Sequence, residues 1–101
     1  MKTRLELQNK LVELLGNNHV YYQPPESLKM EYPCIRYSKS DILSNNADNV
    51  KYSKNDRYEL IVIDKLPDNA VIQKILDLPY TSFDRHYTAN NLNHDVIVIY
   101  L

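Results

Sequence analysis

From Thr3 onward, leucines recur at Leu7, Leu11, Leu14 and Leu15, a spacing that puts them along one side of a helix. Thr3 and Glu6 have the spacing of a capping box, and Gly16 stands where a glycine commonly ends the last turn. The pattern predicts a helix from Thr3 to Leu15. Leu5 and Val12 lie on a different face, which fits either a broad apolar side packed on a sheet or a second contact surface. His19 to Gln23 predicts a short strand, closed by Pro24 and Pro25, which cannot donate to a ladder. After Pro33, the run from Cys34 to Ser38 alternates as a half-buried strand does.

Lys39 to Asn55 is polar and without a period. A loop of that length in a small domain is functional or disordered, and can extend as a hairpin in an assembly. Arg57 to Asp64 predicts a central strand, with Tyr58, Leu60 and Val62 on one face and Ile61 and Ile63 on the other. Leu66-Pro67-Asp68 leads into a second helix, with Asp68 as cap, Val71, Ile72, Ile75 and Leu76 at helical spacing and Pro79 as stop. Tyr80 to Thr88 and His94 to Leu101 pair as a hairpin across Asn90 to Asn93. Val96 to Leu101 is apolar on both sides, the pattern of a strand covered by helices on one face and by a partner subunit on the other.

The order α-β-β-loop-β-α-β-β predicts an α+β fold: an antiparallel sheet of about four to five strands with two helices packed on one face. At 101 residues the chain fits one domain, 1–101, since two cores of half that size would be hard to stabilise. A 44% hydrophobic and 25% charged composition is that of a folding chain. Twelve basic against thirteen acidic residues leave a net charge of -1, which argues against nucleic acid as the main ligand and against a membrane surface. The one cysteine, Cys34, has no internal disulfide partner, and the charged opening is unlike a secretory signal, so a reducing cytosol is expected.

One glycine accompanies eleven asparagines and nine tyrosines. Asn17-Asn18, Asn45-Asn46 and Asn90-Asn91 are therefore candidates for the left-handed turn positions that glycine usually takes. The tyrosines fit partly wet aromatic positions or an interface, and also fit a simple codon bias.

For chemistry, Asp84, His86, His94 and Asp95 flank one hairpin. Asp84 and His86 would share a strand face, and only one of His94 and Asp95 could join them. A metal site would need a further ligand from elsewhere, and none is marked, so no catalytic residue, metal or cofactor is expected. Cys34 follows Pro33 with no nearby histidine and reads as a small buried hydrophobe. Ser38, Ser40, Ser44, Ser53 and Ser82 lack a Gly-x-Ser-x-Gly turn, and a single glycine excludes phosphate-cradling loops. Tyr58, Phe83, Tyr87 and Tyr100 could line a base-stacking face, but no basic cluster surrounds them, and a core or subunit-interface role fits them better.

Tyr21-Tyr22-Gln23 with Pro25-Glu26, Tyr32-Pro33-Cys34-Ile35, Ala47-Asp48-Asn49, Val62-Ile63-Asp64, Leu78-Pro79-Tyr80, Phe83-Asp84-Arg85-His86 and Asn91-Leu92-Asn93-His94-Asp95 give the chain a further character. In these it resembles small phage and prophage tail terminators, also called tail-completion or minor tail proteins. The resemblance implies a sheet flanked by helices and a homo-oligomeric ring, usually of six subunits. It also implies that the ring caps the tail tube protein and joins head-to-tail connector proteins. The protein would then be non-enzymatic and reside in the virion tail, after assembly in the host bacterial cytoplasm. Stoppers and adaptors of similar size are the alternative role, and a small metal-dependent enzyme using Asp84, His86 and His94 is a more distant one. Candidate partner-binding residues are Asn45, Asn46, Asp48, Asn49, Lys51 and Tyr52 in the long polar segment, with Val98 and Tyr100 in the last strand.

Overall fold

The computed structural model describes residues 3–47 and 50–101, with side chains described for 3–40 and 56–101. Helix α1 (Arg4–Leu15) begins as its sequence dictates, with the Thr3 hydroxyl accepting the Glu6 amide at 3.2 Å. It ends at Gly16, whose φ of 85° is the left-handed geometry that favours glycine, and whose amide donates to the Val12 carbonyl. Leu7 and Leu11 are fully buried, and Val12, Leu14 and Leu15 pack at the border of the core. Val12 thus belongs to one broad apolar face, while Leu5 is left exposed.

Five strands follow around a second helix: β1 (Val20–Tyr22), β2 (Cys34–Ala47), β3 (Val50–Asp64), α2 (Val71–Leu76), β4 (Thr81–Ala89) and β5 (Leu92–Tyr100). They form one sheet in the order β1-β2-β3-β5-β4. The fold is α+β, and β3 is interior as its two-sided apolar pattern predicts. The sheet is mixed, however. β1 runs parallel to β2, with Val20 opposite Ile35, because the irregular link after β1 returns the chain to the end of the sheet where β1 began. The remaining pairings are antiparallel.

Both helices cover one face. Leu7 and Leu11 of α1 and Val71 and Ile75 of α2 close over Val20, Ile35, Tyr37, Tyr58, Leu60, Val62, Ile97 and Ile99. Alternation turns Cys34, Ile63, Val96 and Val98 to the opposite face, and these too are buried. The two-sided apolar character of β5 is therefore accounted for within one chain: β5 lies between β3 and β4, and Val96 and Val98 are closed off without a partner subunit.

The largest departure from the pattern concerns residues 39–55. The described residues, 39–47 and 50–55, are strand: β2 and β3 continue pairing from Asp41 opposite Arg57 to Ala47 opposite Val50, with register shifts between Lys39 and Asp41 and between Ser44 and Asn46. Backbone pairing propagates from the register set in the sheet and needs no apolar alternation of its own, which is why polarity concealed the strands. Asn45 and Asn46 accordingly lie in strand β2 and not in a turn. The turn expectation holds at Asn90 and Asn91, whose φ values of 53° and 61° make the two-residue β4–β5 connection. Asn17 and Asn18 do not adopt positive φ. At α2 the N-cap position is Ala70, which has no capping side chain, and the residue that serves the first turn is Asn69 and not Asp68: the Asn69 side-chain oxygen accepts the Val71 amide at 2.9 Å, and its nitrogen donates to Asp64 at 2.8 Å.

Candidate assembly surfaces

The first surface is the arm. β1 stops pairing with β2 at Tyr37, and β5 stops pairing with β3 at Arg57, so beyond that point only β2 and β3 continue, as a two-stranded ribbon. The molecule is correspondingly long, 48 Å against 27 and 24 Å across. A ribbon of two strands is marginal alone in water, and this one is fixed at its base. There Tyr22, Tyr37 and Tyr58 cluster with ring centroids 4.9 to 6.3 Å apart. Arg4 lies over the Tyr22 ring at 4.4 Å, and Lys39 meets Asp56 at 3.4 Å across the two limbs. That contact with Asp56 is the main reason the Lys39 ammonium is held above its ordinary pKa. Burial pushes the Tyr37 and Tyr58 hydroxyls upward, so these rings stay neutral anchors.

The second surface is a groove of about 640 Å³ between α2, the turn before it and β4. Ile72, Leu76 and Phe83 supply its apolar wall, and Asp68 and Gln73 stand at the border. His86 and Asp95 form its floor, paired in register across β4 and β5 with His86 Nδ1 2.7 Å from Asp95 Oδ1. Asp95 is the buried charged residue of the described core, and His86 satisfies it.

The hairpin cluster read from the sequence is divided by this geometry. A register shift between Phe83 and Arg85 makes Asp84 an extra residue in β4, and its carboxylate binds Arg85 at 2.6 Å instead of joining His86. His94 lies on the other face, stacked on Tyr87 with centroids 4.6 Å apart. Asp84, His86 and His94 are thus not brought together. Among the described residues no group of three or more His, Cys, Asp or Glu side chains gathers to hold a metal. The Cys34 thiol is fully buried, and desolvation pushes its pKa up to about 12, far from the thiolate a nucleophile needs.

The proposed base-stacking rings are also dispersed. Tyr58 is buried under the helices, Phe83 faces the groove, and Tyr87 is on the opposite face. Of the candidate partner residues, Asn45, Asn46, Lys51 and Tyr52 belong to the strands of the arm. Asp48 and Asn49 lie outside the described residues. Val98 is buried and offers no surface, whereas Tyr100 remains half-buried opposite Arg57 at the base of the arm. The groove was missed because its floor depends on the register that the two-residue Asn90-Asn91 connection sets, which places His86 opposite Asp95, and on the bulge that breaks the alternation at Asp84, and neither has a marker in the residue pattern. The exposed Phe83 is the one signal that could have pointed there. No helix among the described residues is long and apolar enough to cross a membrane.

Compared with models of known protein families and with curated proteins, the chain matches none.

Proposed function

We propose that this chain is a non-enzymatic virion assembly protein that completes a phage tail by self-association into a ring, with the arm as its main contact element. The observation that carries this reading is the extension of β2 and β3 beyond every other strand. Open strand edges on a soluble domain are a liability that proteins usually shorten or cover. A long polar ribbon with a rigid, tyrosine-packed base instead suits a contact made with another subunit. The family resemblance supplies the identity of the assembly.

The test is the native mass of the purified chain, alone and with phage tail tubes. It is compared with a shortened chain in which a two-residue Asn-Gly turn replaces residues 43–55 and connects Ile42 directly to Asp56, its partner across the ribbon. The full chain is expected to form a ring or to cap tubes, and the shortened chain to do neither. A full-length monomer that ignores tubes would overturn the proposal.

A further inference from the structure

The arm and the groove belong to different parts of the sheet. The arm grows from β2 and β3, whereas the groove borders β4, the last strand in the order β1-β2-β3-β5-β4. A projection on one side and a recess on another allow head-to-tail contact between copies, which closes into a ring when the rotation between them permits.

Among the described residues β4 pairs only with β5, and its residues from Ser82 to Thr88 are all exposed. Beside it stands α2, from which Ile72 and Leu76, one turn apart, share the groove with Phe83. An edge strand flanked by a helix is the arrangement in which an extended segment adds as a new strand. Its backbone bonds to the edge while alternate side chains enter the groove. The bulge at Asp84 interrupts the edge, leaving a regular run from Arg85 to Ala89 for such pairing.

The groove has an apolar wall of Ile72, Leu76 and Phe83, the last 47% exposed, with Asp68 at its border. The β3 limb of the arm reads V-K-Y-S-K from 50 to 54, apolar or aromatic residues interleaved with two lysines. It is a strand whose neighbour β5 ends at Arg57. Strand form, an apolar and aromatic content, and positive charge toward Asp68 all complement the recess.

We propose that the groove between α2 and β4 receives residues 50–54 of the arm of a second copy of this chain, which adds to β4 as a further strand. This rests on the reading of the chain as self-associating and specifies the contact. The shortened chain lacks the inserting limb but keeps the groove. Phe83→Asp spoils the groove with a substitution at an exposed position and keeps the arm. Each alone is expected to be monomeric by native mass, and their mixture to give a one-to-one dimer. Gln73→Lys, at the groove border, is expected to weaken self-association of the full chain about tenfold by facing the arm lysines with like charge.

If the full chain assembles while the mixture stays monomeric, or while Phe83→Asp and Gln73→Lys assemble like the parent, the groove is not the docking site and the ring reading stands. If both variants assemble normally but no longer cap tubes, the groove takes the tube protein and the proposal falls. A full chain that never associates, with or without tubes, removes both. Should Phe83→Asp fail to fold by circular dichroism, Gln73→Lys decides alone.

Discussion

The Tyr37 hydroxyl donates to Gln8 Oε1 at 2.5 Å and accepts from Arg4 at 3.1 Å, joining α1 to β2 at the base of the arm. Gln8 also donates to the Val20 carbonyl, so one glutamine ties the helix to two strands. Tyr37→Phe keeps the ring but leaves Gln8 without its donor. The expected cost is about 1 kcal/mol in urea unfolding, the usual net worth of a hydrogen bond in a partly buried network.

Cys34 is expected to resist thiol reagents at pH 8 in the folded protein and to react as soon as the chain is unfolded. The thiol is fully buried, with a pKa raised from an ordinary 9.0 to about 12. Between those values the unfolded chain releases a proton that the folded chain retains, so stability falls as pH rises. The decline is about 1.4 kcal/mol per pH unit for that proton. Below 9.0 the thiol contributes no slope. Tyr37 and Tyr58, also raised by burial, add loss in the same direction above their ordinary value of 10.0. Urea midpoints of the parent and of Cys34→Ala between pH 8 and 10 check the assignment: the variant should show the shallower decline.

His86→Ala leaves the buried Asp95 carboxylate without its hydrogen-bond partner. A loss of roughly 1–3 kcal/mol is expected, the cost of an unsatisfied buried polar group. Adding Asp95→Val should recover most of it, because the carboxylate then disappears and valine suits a central strand between apolar neighbours. Thermal unfolding of the single and double variants measures the coupling; additive losses would show that the pair does not act as a unit.

Most of the fold was legible where burial imposed a period. Leu7 and Leu11, the alternation of Tyr58, Leu60 and Val62, and the helical spacing of Val71 and Ile75 each mark a face that the core covers. Thr3, Gly16 and the Asn90-Asn91 pair marked element ends through backbone geometry specific to those residue types. Three features had no such marker. The residues of the arm lack an apolar period, the parallel entry of β1 depends on the path of an irregular link, and the bulge at Asp84 breaks the strict alternation that would have put Asp84 and His86 on one face. Val98 was misplaced for a related reason: an apolar residue on an open face reads as an interface unless neighbouring strands are known to close over it.

The arm offers the sharpest separation of folding from function. The tyrosine cluster, the Lys39–Asp56 contact and the pairing of Arg57 with Tyr100 all stand below the proposed Asn-Gly junction. Shortening the arm removes backbone pairs of a two-stranded ribbon, which is marginal by itself, and it also shortens the loop whose closure the unfolded chain must achieve. The shortened chain is therefore expected to melt within a few degrees of the parent, a difference of under about 1 kcal/mol for a domain of this size. A large fall in melting temperature would mean that the ribbon carries part of the core's stability and that loss of assembly on shortening reflects misfolding. An unchanged melt together with lost association assigns the arm to partner contact.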